Sequence, residues 1–138
     1  MLKYKEITDL IIKAFYEVYN EMGFGFLESV YEKALFIVLS QYGLQVEKQR
    51  EIKVYFRDDV IGDFRADLIV ENKVILELKA VNKIAPIHEA QLINYLKATK
   101  IEVGLVLNFG SKPEFIRRVF ENKRKISPRI ALKEKDRV

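Results

Sequence analysis

Asp67 stands among Phe64, Ala66, Leu68 and Val70, while Glu77 and Lys79 stand among Val74, Leu76, Leu78 and Ala80. Strand side chains alternate between faces, so each apolar set predicts a core face and the charged residues share the opposite one. Ile69 and Ile75 lie with the charges, so that second face is at least partly covered. Glu71-Asn72-Lys73 separates the two segments. A two-residue loop would turn Glu77 into the core, whereas a three-residue loop pairs Val70 with Val74 and sets Asp67 opposite Glu77. Such loops need a left-handed residue, a conformation asparagine tolerates. Directly opposed residues have Cβ atoms about 5 Å apart. Two carboxylates that close repel unless a proton or cation lies between them. Arg65 and Lys79 can supply part of the compensation, and a divalent metal the rest. An oxygen-only ligand set suits Mg²⁺ or Mn²⁺ rather than zinc. Lys79 would then hold a cation beside an attacking water and neutralise charge developing on a phosphate. The ordinary meaning of alternating charges is a surface ladder. Glu-Leu-Lys inside an apolar strand, with an aspartate ten residues earlier across a hairpin, departs from it.

Two helical clusters accompany this pair. Gly25-Phe26-Leu27-Glu28-Ser29-Val30-Tyr31 opens a helix with Glu28 and Tyr31 on one face. An acid in the first turn also complements the helix dipole, and a tyrosine there is commonly a core aromatic. His88, Gln91 and Tyr95 follow at steps of three and four, forming a polar stripe beside Leu92 and Leu96. His88 alone reads as a satisfied structural histidine, but with Gln91, Tyr95 and Tyr31 it counts among the candidate supporting residues. Gln91 and Tyr95, one turn apart, can contact one phosphate or orient Lys79.

The elements that must position these residues follow from periodicity. Residues 6–22 and 27–42 carry apolar residues at helical spacing, and Gly23 and Gly43 end the two helices. Residues 45–56, 60–70 and 74–81 read as three meandering strands. Pro86 opens a helix that continues through 87–99. Residues 101–108 form a continuous apolar strand, buried on both faces. Phe115–Phe120 reads as an edge strand or a helical turn. The order is α-α-β-β-β-α-β, an α/β domain with one helical crossover.

The 138 residues contain no cysteine and one histidine. Thiol nucleophiles, disulfides, iron–sulfur clusters and multi-histidine metal sites are excluded. The first six residues lack the apolar core of a signal peptide. The longest apolar runs, Ala34–Leu39 and Val103–Leu107, fall far below membrane-spanning length. A soluble, cytoplasmic protein with no membrane partner is expected. The net charge of +4 is unevenly placed: residues 112–138 carry ten basic and four acidic residues. A domain over 1–120 and a weakly ordered basic tail over 121–138 are therefore expected. Lys123, Arg124, Lys125 and Arg129 are candidates for steering nucleic acid.

Gly25-x-x-Glu28-x-x-Tyr31, Ala66-Asp67, Glu77-x-Lys79 and Gln91-x-x-x-Tyr95, in that order, resemble the GxxExxY family of small prokaryotic proteins, within the PD-(D/E)xK nuclease superfamily. The resemblance spans Ile7 to Phe120. It implies a restriction-endonuclease-like core, a mixed sheet flanked by helices. It also implies metal ligation by Asp67, Glu77 and the Leu78 carbonyl, with Lys79 as the catalytic lysine. Glu28 would contribute from its helix, and Gln91 and Tyr95 would form a supporting motif. Ala66 replaces the superfamily's proline, which leaves the ligands untouched. The implied activity is Mg²⁺- or Mn²⁺-dependent hydrolysis of phosphodiesters, DNA ahead of RNA. An inactive nucleic-acid-binding or assembly module on the same fold is the alternative. A homodimer or a larger nucleoprotein partner would help so small a chain grip a duplex.

Overall fold

The computed structural model describes residues 2–125. Helix α1 (Lys5–Met22) buries Thr8, Ile11, Ala14, Phe15 and Val18, one stripe of a 3.6-residue period. It stops at Gly23, whose φ of 69° favours glycine. Helix α2 (Glu28–Gln41) buries Tyr31, Leu35 and Leu39. Three strands follow: β1 (Val46–Phe56), β2 (Asp59–Val70) and β3 (Val74–Lys79). Helix α3 (Pro86–Lys97) leads into β4 (Val103–Phe109) and β5 (Pro113–Val119). The segment read as edge strand or helical turn is thus an edge strand. Asn122–Arg124 makes a short 3₁₀ turn, and residues 126–138 of the expected tail lie outside the described residues.

The five strands form one mixed sheet in the order β1-β2-β3-β4-β5. Only the β3/β4 pair is parallel, and α3 is its crossover; the other three pairs are antiparallel. The β2–β3 turn has the expected three residues, with Val70 opposite Val74, Ile69 opposite Ile75 and Leu68 opposite Leu76. Glu71 and Asn72 both take left-handed φ, at 54° each.

Two cores sandwich the sheet. On one side α1 and α2 lay Ile11, Phe15, Leu35 and Leu39 against Leu68, Leu76 and Leu105. On the other, Leu92 and Leu96 of α3 meet Ile52, Ile69, Ile75 and Val106. Every residue of β4 is buried, as its unbroken apolar run predicts. Gly104 permits the close seating of α3, since a Cβ there would fall 2.6 Å from Leu92 Cδ1. Among the described residues no helix is long and apolar enough to cross a membrane.

One expectation from alternation fails. Phe64 and Ala66 pack with Ile69, Ile75 and Leu92 on the α3 side, not with Leu68 and Val70. The ladder to β1 is irregular at the same point. Gln49 adopts a φ of 52°, and the pairing runs from Lys48–Leu68 to Arg50–Ala66 without a Gln49–Asp67 pair. A left-handed residue breaks the pleat of β1 directly opposite the point where alternation fails in β2.

Candidate functional site

At the same point β2 and β3 change how they are joined. Backbone pairing ends at Leu68–Leu76. One residue further, the Asp67 N–H donates to Glu77 Oε2 at 3.0 Å and the Leu78 N–H donates to Asp67 Oδ2 at 2.8 Å. Each carboxylate thereby replaces a ladder carbonyl as acceptor for the opposite strand. The expected opposition of Asp67 and Glu77 is present, in this reciprocal form. The Leu78 side chain is buried in the α1/α2 core, so only its backbone can serve the site.

Glu77 is only 6% exposed. Burial, and then repulsion from Asp67, push its carboxyl up from 4.5 to about 8. Burial also raises Asp67, against the opposing pull of the Leu78 N–H. Lys79 attracts both acids, but its effect does not restore either to the ordinary range. Arg65 does not join it as expected. Its guanidinium donates to the Gln49 carbonyl at 3.2 Å and pairs with Glu51 at 3.7 Å.

Helix α2 brings further acid to this place. The charge of Glu28 raises the carboxyl of Glu77. Tyr31 is fully buried: its ring stacks on Phe109 at 4.3 Å, and its hydroxyl donates to the Gly23 carbonyl at 2.7 Å. The same hydroxyl accepts from the Phe26 N–H at 3.3 Å. Tyr31 therefore fixes the loop that delivers Glu28 rather than facing the acids. Glu32, one turn after Glu28, escaped the sequence reading. Gln49 Nε2 donates to Glu32 Oε1 at 2.6 Å and lies 3.4 Å from Asp67 Oδ1. Burial raises the Glu32 carboxyl, and the charge of Asp67 adds to that effect. The available signal was the four-residue step from Glu28 to Glu32 on one helix face.

On the opposite side, Tyr95 stacks on Phe64 with ring centroids 3.7 Å apart. Its hydroxyl pKa is raised by burial, then by the charges of Glu77 and Asp67, which places it within their electrostatic reach. Gln91 is half-buried, and its side-chain amide has no hydrogen-bond partner among the described residues. His88 accepts the Ala85 N–H at Nδ1, 3.0 Å away, and so closes the start of α3. That is a structural role. Asn108, a second residue missed by sequence, is fully buried opposite Lys79 in the β3/β4 ladder. It accepts the Val81 N–H at 3.0 Å and donates to the Val81 carbonyl at 2.9 Å. This amide clamp holds the chain where it leaves β3.

The tail candidates lie apart from the acids. Lys125 donates to the Thr99 and Ile101 carbonyls, Arg124 covers the Phe120 ring, and Lys123 lies 3.9 Å from Glu121. Arg129 lies outside the described residues.

The donor set fits a hard divalent cation in part. Asp67 and Glu77 offer oxygen only, and burial with mutual repulsion holds the Glu77 carboxyl high, so a cation that displaced its proton would relieve both. Among the described residues, however, no three Asp, Glu, His or Cys side chains group closely enough to hold a metal by themselves. A cation here would depend on two carboxylates, backbone oxygen and water, the usual habit of Mg²⁺.

Comparison with known proteins agrees with this architecture. A family model described as the PD-(D/E)XK nuclease superfamily matches residues 5–119. The mixed five-stranded sheet with flanking helices is the restriction-endonuclease-like arrangement of that superfamily. No curated protein matches the chain. Among solved structures, a crystal structure of SSO0001 is similar at 17% identity and a TM-score of 0.48, covering 78% of this chain. The chain spans 57% of that protein's length.

Proposed function

The chain belongs to the PD-(D/E)XK nuclease superfamily, and we propose that it hydrolyses phosphodiester bonds, in DNA ahead of RNA, as a GxxExxY member. The observation that carries this reading is the reciprocal exchange between Asp67 and Glu77, with Lys79 on the same strand. It fixes a buried and a half-buried acid side by side, two residues from Lys79, without using either acid in a structural ion pair.

In this reading Asp67, Glu77 and the Leu78 carbonyl hold Mg²⁺ or Mn²⁺, with Glu28 contributing from α2. When bound, the cation supplies Lewis-acid polarisation of the phosphate. Lys79 stabilises the negative charge that develops on the phosphate oxygens as water attacks. Gln49 keeps Asp67 and Glu32 in register through its amide. Tyr95 and Gln91 border the phosphate, and Lys123, Arg124 and Arg129 are proposed to help draw the polymer in. A second copy or a larger nucleoprotein partner would complete the grip on a duplex.

The alternative, an inactive nucleic-acid-binding or assembly module, draws support from the missing third acidic ligand among the described residues. A nuclease assay separates the two. Wild type and Lys79→Ala are compared on single- and double-stranded DNA and RNA, with and without Mn²⁺. Metal-dependent cleavage lost in Lys79→Ala supports the enzyme. Binding without cleavage in both proteins supports the module.

A further inference from the structure

We propose that the cavity between β1, β2 and α3 is a pocket for one unpaired nucleobase of the strand presented to Asp67 and Glu77. The proposal rests on the phosphodiesterase reading above and deepens it, naming single-stranded or frayed nucleic acid as the substrate class. The cavity measures about 330 Å³ and is lined by Val54, Phe64, Asn94, Tyr95, Lys97 and Ala98. That volume lies near the lower end of small-ligand pockets, roughly 300–1,000 Å³.

The lining has the chemistry of a base site. Phe64 and Tyr95 stack face to face with their planes 8° apart, an aromatic pair whose outer face is the wall that a base can extend. Every base offers a π-face to such a wall, irrespective of sequence. Asn94 is exposed, and its side-chain amide has no hydrogen-bond partner among the described residues. An amide offers both donor and acceptor, which complements the Watson–Crick edge of a base. Lys97, held over the Phe120 ring at 5.4 Å, adds positive charge beside the flanking phosphate. Val54 and Ala98 supply apolar sides.

The cavity also shares strand β2 with Asp67. Tyr95 is shared: it lines the cavity and feels the charges of Glu77 and Asp67. Phe64 precedes Asp67 by three residues on β2, about 10 Å along a strand. A nucleotide flanking the reacting phosphate spans that gap. A paired base cannot enter, because both its faces and its edge are already engaged. It must first leave the stack, at a penalty of a few kcal/mol.

Fluorescence anisotropy without divalent metal tests the pocket directly. The probes are a short labelled single strand, the same strand carrying abasic sites, and its duplex. Ala98→Leu fills the cavity, and Asn94→Ala removes the amide at an exposed position that folding does not depend on. Wild type should bind the single strand more tightly than the abasic strand. Ala98→Leu should weaken single-strand binding roughly five- to a hundredfold, the range for loss of one stacked base, and leave duplex affinity unchanged. Asn94→Ala should weaken it several-fold. With Mn²⁺ present, KM for the single strand should rise in parallel while kcat holds. Unchanged single-strand affinity in both variants, or equal weakening on the duplex, overturns the pocket. Robust cleavage with unchanged affinities would overturn the pocket and leave the nuclease reading standing. Base-dependent, Ala98-sensitive binding with no cleavage would do the reverse.

Discussion

Replacing Glu77 by glutamine should stabilise the metal-free protein at neutral and alkaline pH, by an amount that grows as pH rises. The folded carboxyl titrates at about 8 and the ordinary carboxyl at 4.5. Between these values the folded protein holds a proton that the unfolded chain releases, so raising the pH favours unfolding. The contribution is favourable at low pH and is lost as pH climbs toward 8. Each pH unit inside the window is worth at most about 1.4 kcal/mol, so the full effect is on the order of 5 kcal/mol. Glutamine does not titrate, and its amide oxygen can still accept the Asp67 N–H that Glu77 Oε2 accepts now. Asp67 and Glu32 are also raised by burial and remain in the variant. The diagnostic quantity is therefore the difference in slope between the two proteins, not the slope of either one.

Urea unfolding in chelator at roughly pH 5.5 and 7.5 measures it. Wild type should lose about 2–3 kcal/mol more than Glu77→Gln across that interval. Mg²⁺ or Mn²⁺ at a hundredfold excess over its dissociation constant should then return about 2.7 kcal/mol to wild type and little to the variant. Parallel stability profiles for the two proteins would refute the idea that Glu77 is a strained, buried acid awaiting a counter-charge.

Three further outcomes are expected. Asp67→Asn should remove most Mg²⁺ or Mn²⁺ affinity in titration calorimetry and somewhat stabilise the metal-free fold, because the amide keeps the Leu78 hydrogen bond while relieving repulsion. Equal metal affinity would sink the ligand assignment. Asn108→Ala should cost about 1–3 kcal/mol in denaturation, since it removes the partner of the half-buried N–H and carbonyl of Val81. Truncation after Lys125, which retains the Lys125 contacts to the Thr99 and Ile101 carbonyls, should weaken nucleic-acid binding and flatten its salt dependence by roughly one to two in log–log slope. Unchanged affinity and slope would show that Arg129 and its neighbours do not steer substrate.

Much of this site was legible in sequence because it depends on local rules. The three-residue turn followed from demanding that Val74 and Leu76 face the same core as Leu68 and Val70, and the register agrees. That register alone brings Asp67 to Glu77. The role of His88 as a satisfied structural group was also readable, from its place in the first turn of a proline-initiated helix. Glu32 and Gln49 were not. Their value depends on how α2 lies across β1, a relation between elements 17 residues apart that no periodicity encodes. Asn108 was hidden for a similar reason. Inside the apolar run of β4 it reads as a strand's last residue, and its clamp on Val81 exists only after α3 has crossed over.

The one face assignment that failed points at the site itself. Alternation holds along β2 from Leu68 to Val70 and breaks between Leu68 and Ala66, the two residues flanking Asp67. Facing this break, Gln49 occupies a left-handed conformation that a non-glycine residue adopts at some expense. A regular ladder would pair Gln49 with Asp67 and Asp67 with Glu77 through backbone groups alone. The carboxylates would then be side chains on a flat sheet, free to reorient. With the pleat broken, the Asp67 N–H and the Leu78 N–H turn to carboxylate acceptors, and each acid is fixed by a backbone donor from the opposite strand. The side chain of Gln49 meanwhile ties Glu32 to the edge of the pair. The break also carries Phe64 to the α3 face, where it stacks on Tyr95. The fixed acids on one side and the Phe64–Tyr95 stack on the other thus flank one irregular point of the sheet, opposite Gln49.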